Sequence, residues 1–343
     1  MSKFFKVRHR LFSFSTPIAS LWSMLILFVF FLAIIFLSLT LGKEFIALPE
    51  VFAVLLGHGD QASQFVVETL RLPRILMAAM VGAALASSGL VLQSMIRNPL
   101  ASPDIIGITG GASAAAVAFL SFFAATMGIA WLPIFAIAGA LLAALLIYSF
   151  AWRRGVTPMR LVLVGIGISS VMGAVTTFVI AASPLSTSIS AYIWLTGSVY
   201  GASWVEVQAL LPWLLMTWPL AFYVARRVNT QELGDSLATG LGVSVQRLRL
   251  GLLFLSVIMA APAIAYAGAV GFVGLIAPHI ARRFVARSFA LLLPTSALIG
   301  ACLVMLADLC GRLLFQPLDI PAGVFVSAIG APFFIYLLYR QRF

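Results

Sequence analysis

Residues 71–104 read RLPRILMAAMVGAALASSGLVLQSMIRNPLASPD. Two arginines open the stretch, apolar and small residues fill it from Ile75 to Met95, and Arg97 with Asn98-Pro99 closes it. About twenty apolar residues wound as a helix cross a hydrocarbon core of about 30 Å, so the segment predicts a membrane-spanning helix flanked by guanidinium groups. The rest of the chain has the same character. Of 343 residues 62% are hydrophobic and 9% charged, with a mean hydropathy of +1.12, whereas soluble domains carry roughly a quarter charged residues. This predicts an all-α polytopic membrane protein, a single transmembrane domain over 1–343 that leaves no room for a soluble catalytic module.

Apolar segments fall near 21–41, 75–95, 105–128, 131–151, 161–182, 205–225, 250–269, 272–285 (a short one), 289–311 and 322–339. About ten transmembrane helices put both termini on one side. Of the 21 Lys and Arg, only Lys43, Arg71, Arg74 and Arg312 then fall on the opposite side, and the positive-inside rule makes both termini cytoplasmic. The net charge of +11 follows from this topology and calls for no nucleic acid. MSKFFKVRHR precedes an apolar run that is longer than a signal-peptide core and lacks a small-x-small cleavage site. The run is read as a retained first helix, with 1–20 a cytoplasmic N-terminal segment. Residues 43–70 read as an outer surface helix and loop, 182–204 as a short helix at the outer interface, and 225–251 as the longest inner connection. That connection contains Glu232 and Asp235 in a chain poor in acids.

No catalytic constellation is visible. His9, His58 and His279 lie far apart, and Gly42-Lys43 is followed by Glu44, which excludes a phosphate-binding P-loop. Cys302 and Cys310, eight residues apart in one apolar segment, read as packing residues with no metal or disulfide pattern. No metal ligands and no cofactor are expected, so uphill transport would draw on a partner ATPase or an ion gradient. For the gradient, the intramembrane acid to consider is Asp308, although Arg312 four residues on also suits an ordinary i,i+4 pair. Arg71 and Arg74, one turn apart, suit either snorkelling to the interface or a grip on carboxylates of an acidic protein partner. Gly82, Ala86, Gly89 and Gln93 form one narrow stripe, either a tight helix crossing or a face of a translocation path. Ser87, Gln93, Asn98 and Pro99 are the polar and helix-breaking positions placed near such a path.

Six motifs in order, RLPR (71–74), GAALASSGLVLQSMIRNPLASPDIIGITGGA (82–112), LGDSLATGLGVSVQRLRL (233–250), AGAVGFVGLIAPHIAR (267–282), ADLCGR (307–312) and DIPAGVFVSAIGAPFF (319–334), resemble the permease subunits of ABC importers for iron–siderophore complexes, the family that also contains the vitamin B12 permease. The resemblance covers nearly the whole chain from about residue 45, and is nearest to the ferric citrate and catecholate siderophore permeases.

It implies a type II ABC importer permease of ten helices in the bacterial inner membrane, paired with a second permease, identical or similar, and with two ATPase subunits that hold ATP and Mg. It further implies a periplasmic binding protein that docks on Arg71, Arg74 and Arg312. The loop 228–247 would supply coupling helices that seat in the ATPase through Glu232, Leu233, Gly234, Asp235, Leu237, Ala238, Leu241 and Gly242. Where the family commonly has Gly-Asp-Glu, this chain has Gly234-Asp235-Ser236. Vitamin B12 or haem import within the same family, and an ion-coupled secondary transporter outside it, are the alternative functions.

Overall fold

In a computed structural model of the chain, residues 4–8 and 13–340 are described, so Lys3, His9, Arg10 and Arg342 of the charge argument lie outside the described residues. A short antiparallel hairpin (β1, Phe4–Arg8; β2, Ser13–Pro17) precedes a helical body. Its first half comprises α1 (Ile18–Thr40), α2 (Leu48–Leu55), α3 (Gln61–Gln64), α4 (Leu72–Ile96), α5 (Pro103–Ile106), α6 (Ile108–Phe122), α7 (Ala124–Met127) and α8 (Leu132–Ala151). The second half comprises α9 (Pro158–Ala182), α10 (Leu185–Thr196), α11 (Trp204–Glu232), α12 (Asp235–Gly240), α13 (Val245–Ala267), α14 (Val273–Phe284), α15 (Phe289–Leu313) and α16 (Ala322–Arg340).

Among the described residues eight helices are long and apolar enough to cross a membrane, and α6 and α14, with 15 and 12 residues, fall short of that length. Of the ten segments expected to cross, eight correspond to these long helices and two to the shorter α6 and α14. Three expected boundaries move. A π-helical segment, Phe65–Arg71, joins α3 to α4, so Arg71 and Arg74 sit within a helix that begins near Gln61 and not at a helix entrance. The segment expected at 105–128 divides into α5, α6 and α7, with Gly107 at φ +95° breaking the first two. α11 continues past Arg226 and Arg227 to Glu232, which shortens the inner connection.

The stretch that opened the sequence lies at the centre of the bundle. α4 packs against α11, α13, α14 and α15, and 83% of its apolar window is buried. Its small residues explain how. A Cβ on Gly82 would lie 2.2 Å from the Gly300 carbonyl oxygen in α15, and one on Gly89 would lie 1.9 Å from that of Gly274 in α14. In lipid, helices associate through close van der Waals packing, which small residues permit. The stripe from Gly82 to Gly89 is therefore a pair of tight helix crossings, and only Gln93 at its end reaches a cavity. By contrast, α9 is 17% buried along its window. Among the described residues nothing lies within 4 Å of a Cβ built on Gly167 or Gly173 of that helix, and its exposed Ser170 and Thr177 donate back to the Ile166 and Gly173 carbonyls.

Candidate functional site

At the end of the bundle where α4 begins, three arginines surround a cavity of about 310 Å³. Arg71 is buried and already committed. Its Nη1 donates to the Leu39 and Thr40 carbonyls and its Nη2 to that of Glu44, tying the end of α1 to α4. Within the chain the Arg71 guanidinium thus caps the open end of α1. Arg74 is a fork between two acids. Nε and Nη2 reach Asp308 Oδ1 at 2.9 and 2.7 Å, while Nη1 and Nη2 each reach Asp319 at 2.8 Å. The Tyr200 ring lies 5.3 Å from the guanidinium carbon. Bidentate geometry of this kind suits a planar guanidinium and offsets the cost of burying the ions. Arg312 Nε lies 3.2 Å from Asp308 Oδ2, the i,i+4 pair read from the sequence. Its Nη2 is buried and finds no hydrogen-bond partner among the described residues. The surroundings are mixed in sign: Lys43, Arg71, Arg74 and Arg312 stand against Glu44 and Asp319, with Asp308 beside them.

At the opposite end, α12 stands between two glycines in the left-handed region, Gly234 at φ +116° and Gly242 at φ +85°, a conformation that side-chain-bearing residues rarely adopt. Leu233, Leu237 and Leu241 recur at helical spacing and are 62%, 59% and 68% exposed, whereas Ala238 is fully buried. Glu232 is exposed at the end of α11. Asp235 turns inward: Oδ2 accepts from Arg249 at 2.6 Å and Oδ1 lies 3.1 Å from Arg97 Nη2. Arg249 is itself 1% exposed and donates to the Val156 carbonyl. Within the chain Asp235 thus fastens α12 to α4 and α13. Ser236 is exposed, so the missing acid at that position removes no contact within the chain.

Between these elements lies a polar cavity of about 480 Å³ that Gln93, Asn98 and Pro99 line, together with Arg97 and Glu232. Gln93 is buried. Its amide donates to the Gly274 carbonyl and its Oε1 accepts from Arg282 at 2.5 Å. Ser87, the fourth path candidate, is not brought there: it is fully enclosed, with no partner for its hydroxyl among the described residues.

The model of the FecCD transport family matches residues 27–340. The chain belongs to that family. It is 58% identical over 311 residues to the achromobactin transport system permease protein CbrC of Dickeya dadantii (strain 3937), covering 91% of this chain and 89% of that one. It is 42% identical over 325 residues to the iron(3+)-hydroxamate import system permease protein FhuG of Bacillus subtilis (strain 168), covering 93% and 97%. A solved inward-facing ABC transporter of metal-chelate type superposes with a TM-score of 0.84 at 30% identity, covering 93% of this chain and 99% of that one. The chain is therefore a transport permease with the ABC importer fold.

Several residues of this FecCD permease escaped the sequence reading. Asp319 and Arg249 lay inside recognised motifs, but their partners are 245 and 14 residues away and no periodicity links them. Asp104 ties α5 to the start of α14. Oδ1 accepts from the Thr109 hydroxyl at 2.7 Å and Oδ2 from the backbone N–H of Phe272 at 3.1 Å. Phe272 has φ +64°, a strained setting for a bulky residue. The acid two residues before Ile106-Gly107 was the available signal.

Proposed function

We infer that this chain is the permease subunit of an ATP-driven importer that moves iron(III)–siderophore complexes across the bacterial inner membrane. The observation that carries the reading is the 58% identity, over nine tenths of both chains, to an achromobactin transport permease. ATP hydrolysis is assigned to partner ATPases, with both termini on their side of the membrane. Support comes from the exposed leucines of α12, since large apolar side chains held on a short rigid helix invite a groove in another protein. Rigid-body motion of the ATPases reaches α4 and α13 through Asp235 and its two arginines.

A periplasmic binding protein docks at the Arg74–Arg312 end, where Arg312 Nη2, without a hydrogen-bond partner among the described residues, is available to one of its carboxylates. Arg71 contributes by holding α1 against this face. A second permease, identical or similar, covers the hydroxyl-bearing face of α9. Charge reversal of Arg71 would disturb the fold, so Arg312→Gln is the sharper test of docking. Binding-protein-stimulated ATP hydrolysis should fall in the variant while the ATPases stay bound; unchanged stimulation would remove Arg312 from the docking face. Asp308, the acid on which the ion-coupled alternative was built, is shared by Arg74 and Arg312.

A further inference from the structure

The cavity beside α12 is strongly basic, and the positive-inside rule accounts for arginines at this end in general. Besides Arg97 it is lined by Arg282, Arg283 and Arg287, with His279 beside them and Glu232 as its one acid. Arginines in the last turn of α14 complement the helix dipole, and this accounts for Arg282 and Arg283 singly. It does not account for convergence from three elements: Arg97 comes from the end of α4, Arg282 and Arg283 from α14, and Arg287 from the turn before α15. Two of the four are oriented by the chain, Arg97 by Asp235 and Arg282 by Gln93. The other two, Arg283 and Arg287, are exposed and form no ion pair among the described residues.

We propose that this cavity is an oxyanion site that receives the carboxylate groups of the ferric chelate as it leaves the permease. The proposal rests on the iron–chelate reading above. A cavity of about 480 Å³ falls in the size range of small-molecule sites, about 300–1,000 Å³. Guanidinium forks match the paired oxygens of carboxylates. Apart from Pro99 and Leu292 its lining residues are polar or charged. Arg97 also joins the site to the coupling segment: an anion drawing on Arg97 competes with Asp235 for the same guanidinium. Arrival of the chelate is thereby felt at α12.

The test is equilibrium dialysis of the purified transporter, with its ATPases bound, against iron-55 ferric citrate, comparing wild type with Arg283→Gln/Arg287→Gln. Both side chains are exposed, so the fold should tolerate the change. Wild type should bind the chelate in a salt-sensitive way, and the double variant about tenfold more weakly. Absence of binding by wild type, or equal binding by both, overturns the site. Loss of the ATPases from the variant would identify the arginines as contacts to an acidic protein face and overturn it too. Displacement of the chelate by anionic-lipid vesicles but not by citrate would give the site to headgroups instead. Binding by a wild-type complex that imports no iron chelate would keep the anion site and remove the iron reading.

Discussion

Arg74 has to be matched wherever it is buried, and the match it finds spans the chain. Asp308 is 234 residues away and Asp319 is 245. Removing one partner of a buried pair leaves an uncompensated charge, so Asp308→Ala, which strands Arg74 and Arg312 together, should lower stability by about 3–5 kcal/mol. Asp319, whose side chain is 22% exposed, should matter less, about 1 kcal/mol on truncation to Ala. Chemical or thermal unfolding in detergent distinguishes the two, and equal effects would contradict the network as described. The i,i+4 spacing of Asp308 and Arg312 was legible in the sequence; the Arg74 fork was not, because spacing says nothing about contacts between distant helices.

At the scale of elements, α4 and α12 make opposite demands. α4 is packed on all sides, and Gly89 touches the backbone of α14. Gly89→Val would drive a branched side chain into the Gly274 carbonyl, an overpacking that typically costs about 1–3 kcal/mol or more. The variant should lose its folded yield in membranes, whereas Gly167→Ala on the open face of α9 should not. α12 stands out from the bundle. Leu237→Glu should abolish co-purification of the ATPases while leaving thermal stability within about 0.5 kcal/mol. Ser236→Glu should retain both. Loss of stability without loss of association would mean that the leucine face packs inside the chain. Hydrophobicity made the long helices legible, with the class of fold and the glycine crossings. Their ends were less so. Arg226 and Arg227 suggested an exit from α11 that the helix ignores, since a helix that leaves the membrane can continue in water to Glu232.

For the molecule as a whole, the order and spacing of six motifs made family membership legible, because each marks a place where backbone meets backbone or a turn must form. The two ends were legible as basic flanks but not as built sites, since burial decides which arginines stay available. Arg71 is spent on α1, Arg74 on two acids, and Arg283 and Arg287 are left over. The central claim is iron–chelate import driven by a partner ATPase. Its most direct measurement is uptake of iron-55 siderophore complexes into proteoliposomes that contain this permease with its partner permease, ATPases and binding protein. The account predicts that at least one ferric siderophore accumulates only when ATP is supplied on the ATPase side, and that collapse of ion gradients leaves uptake intact. Import of vitamin B12 or haem with no ferric siderophore accepted, or uptake that follows an ion gradient without ATP, would contradict it.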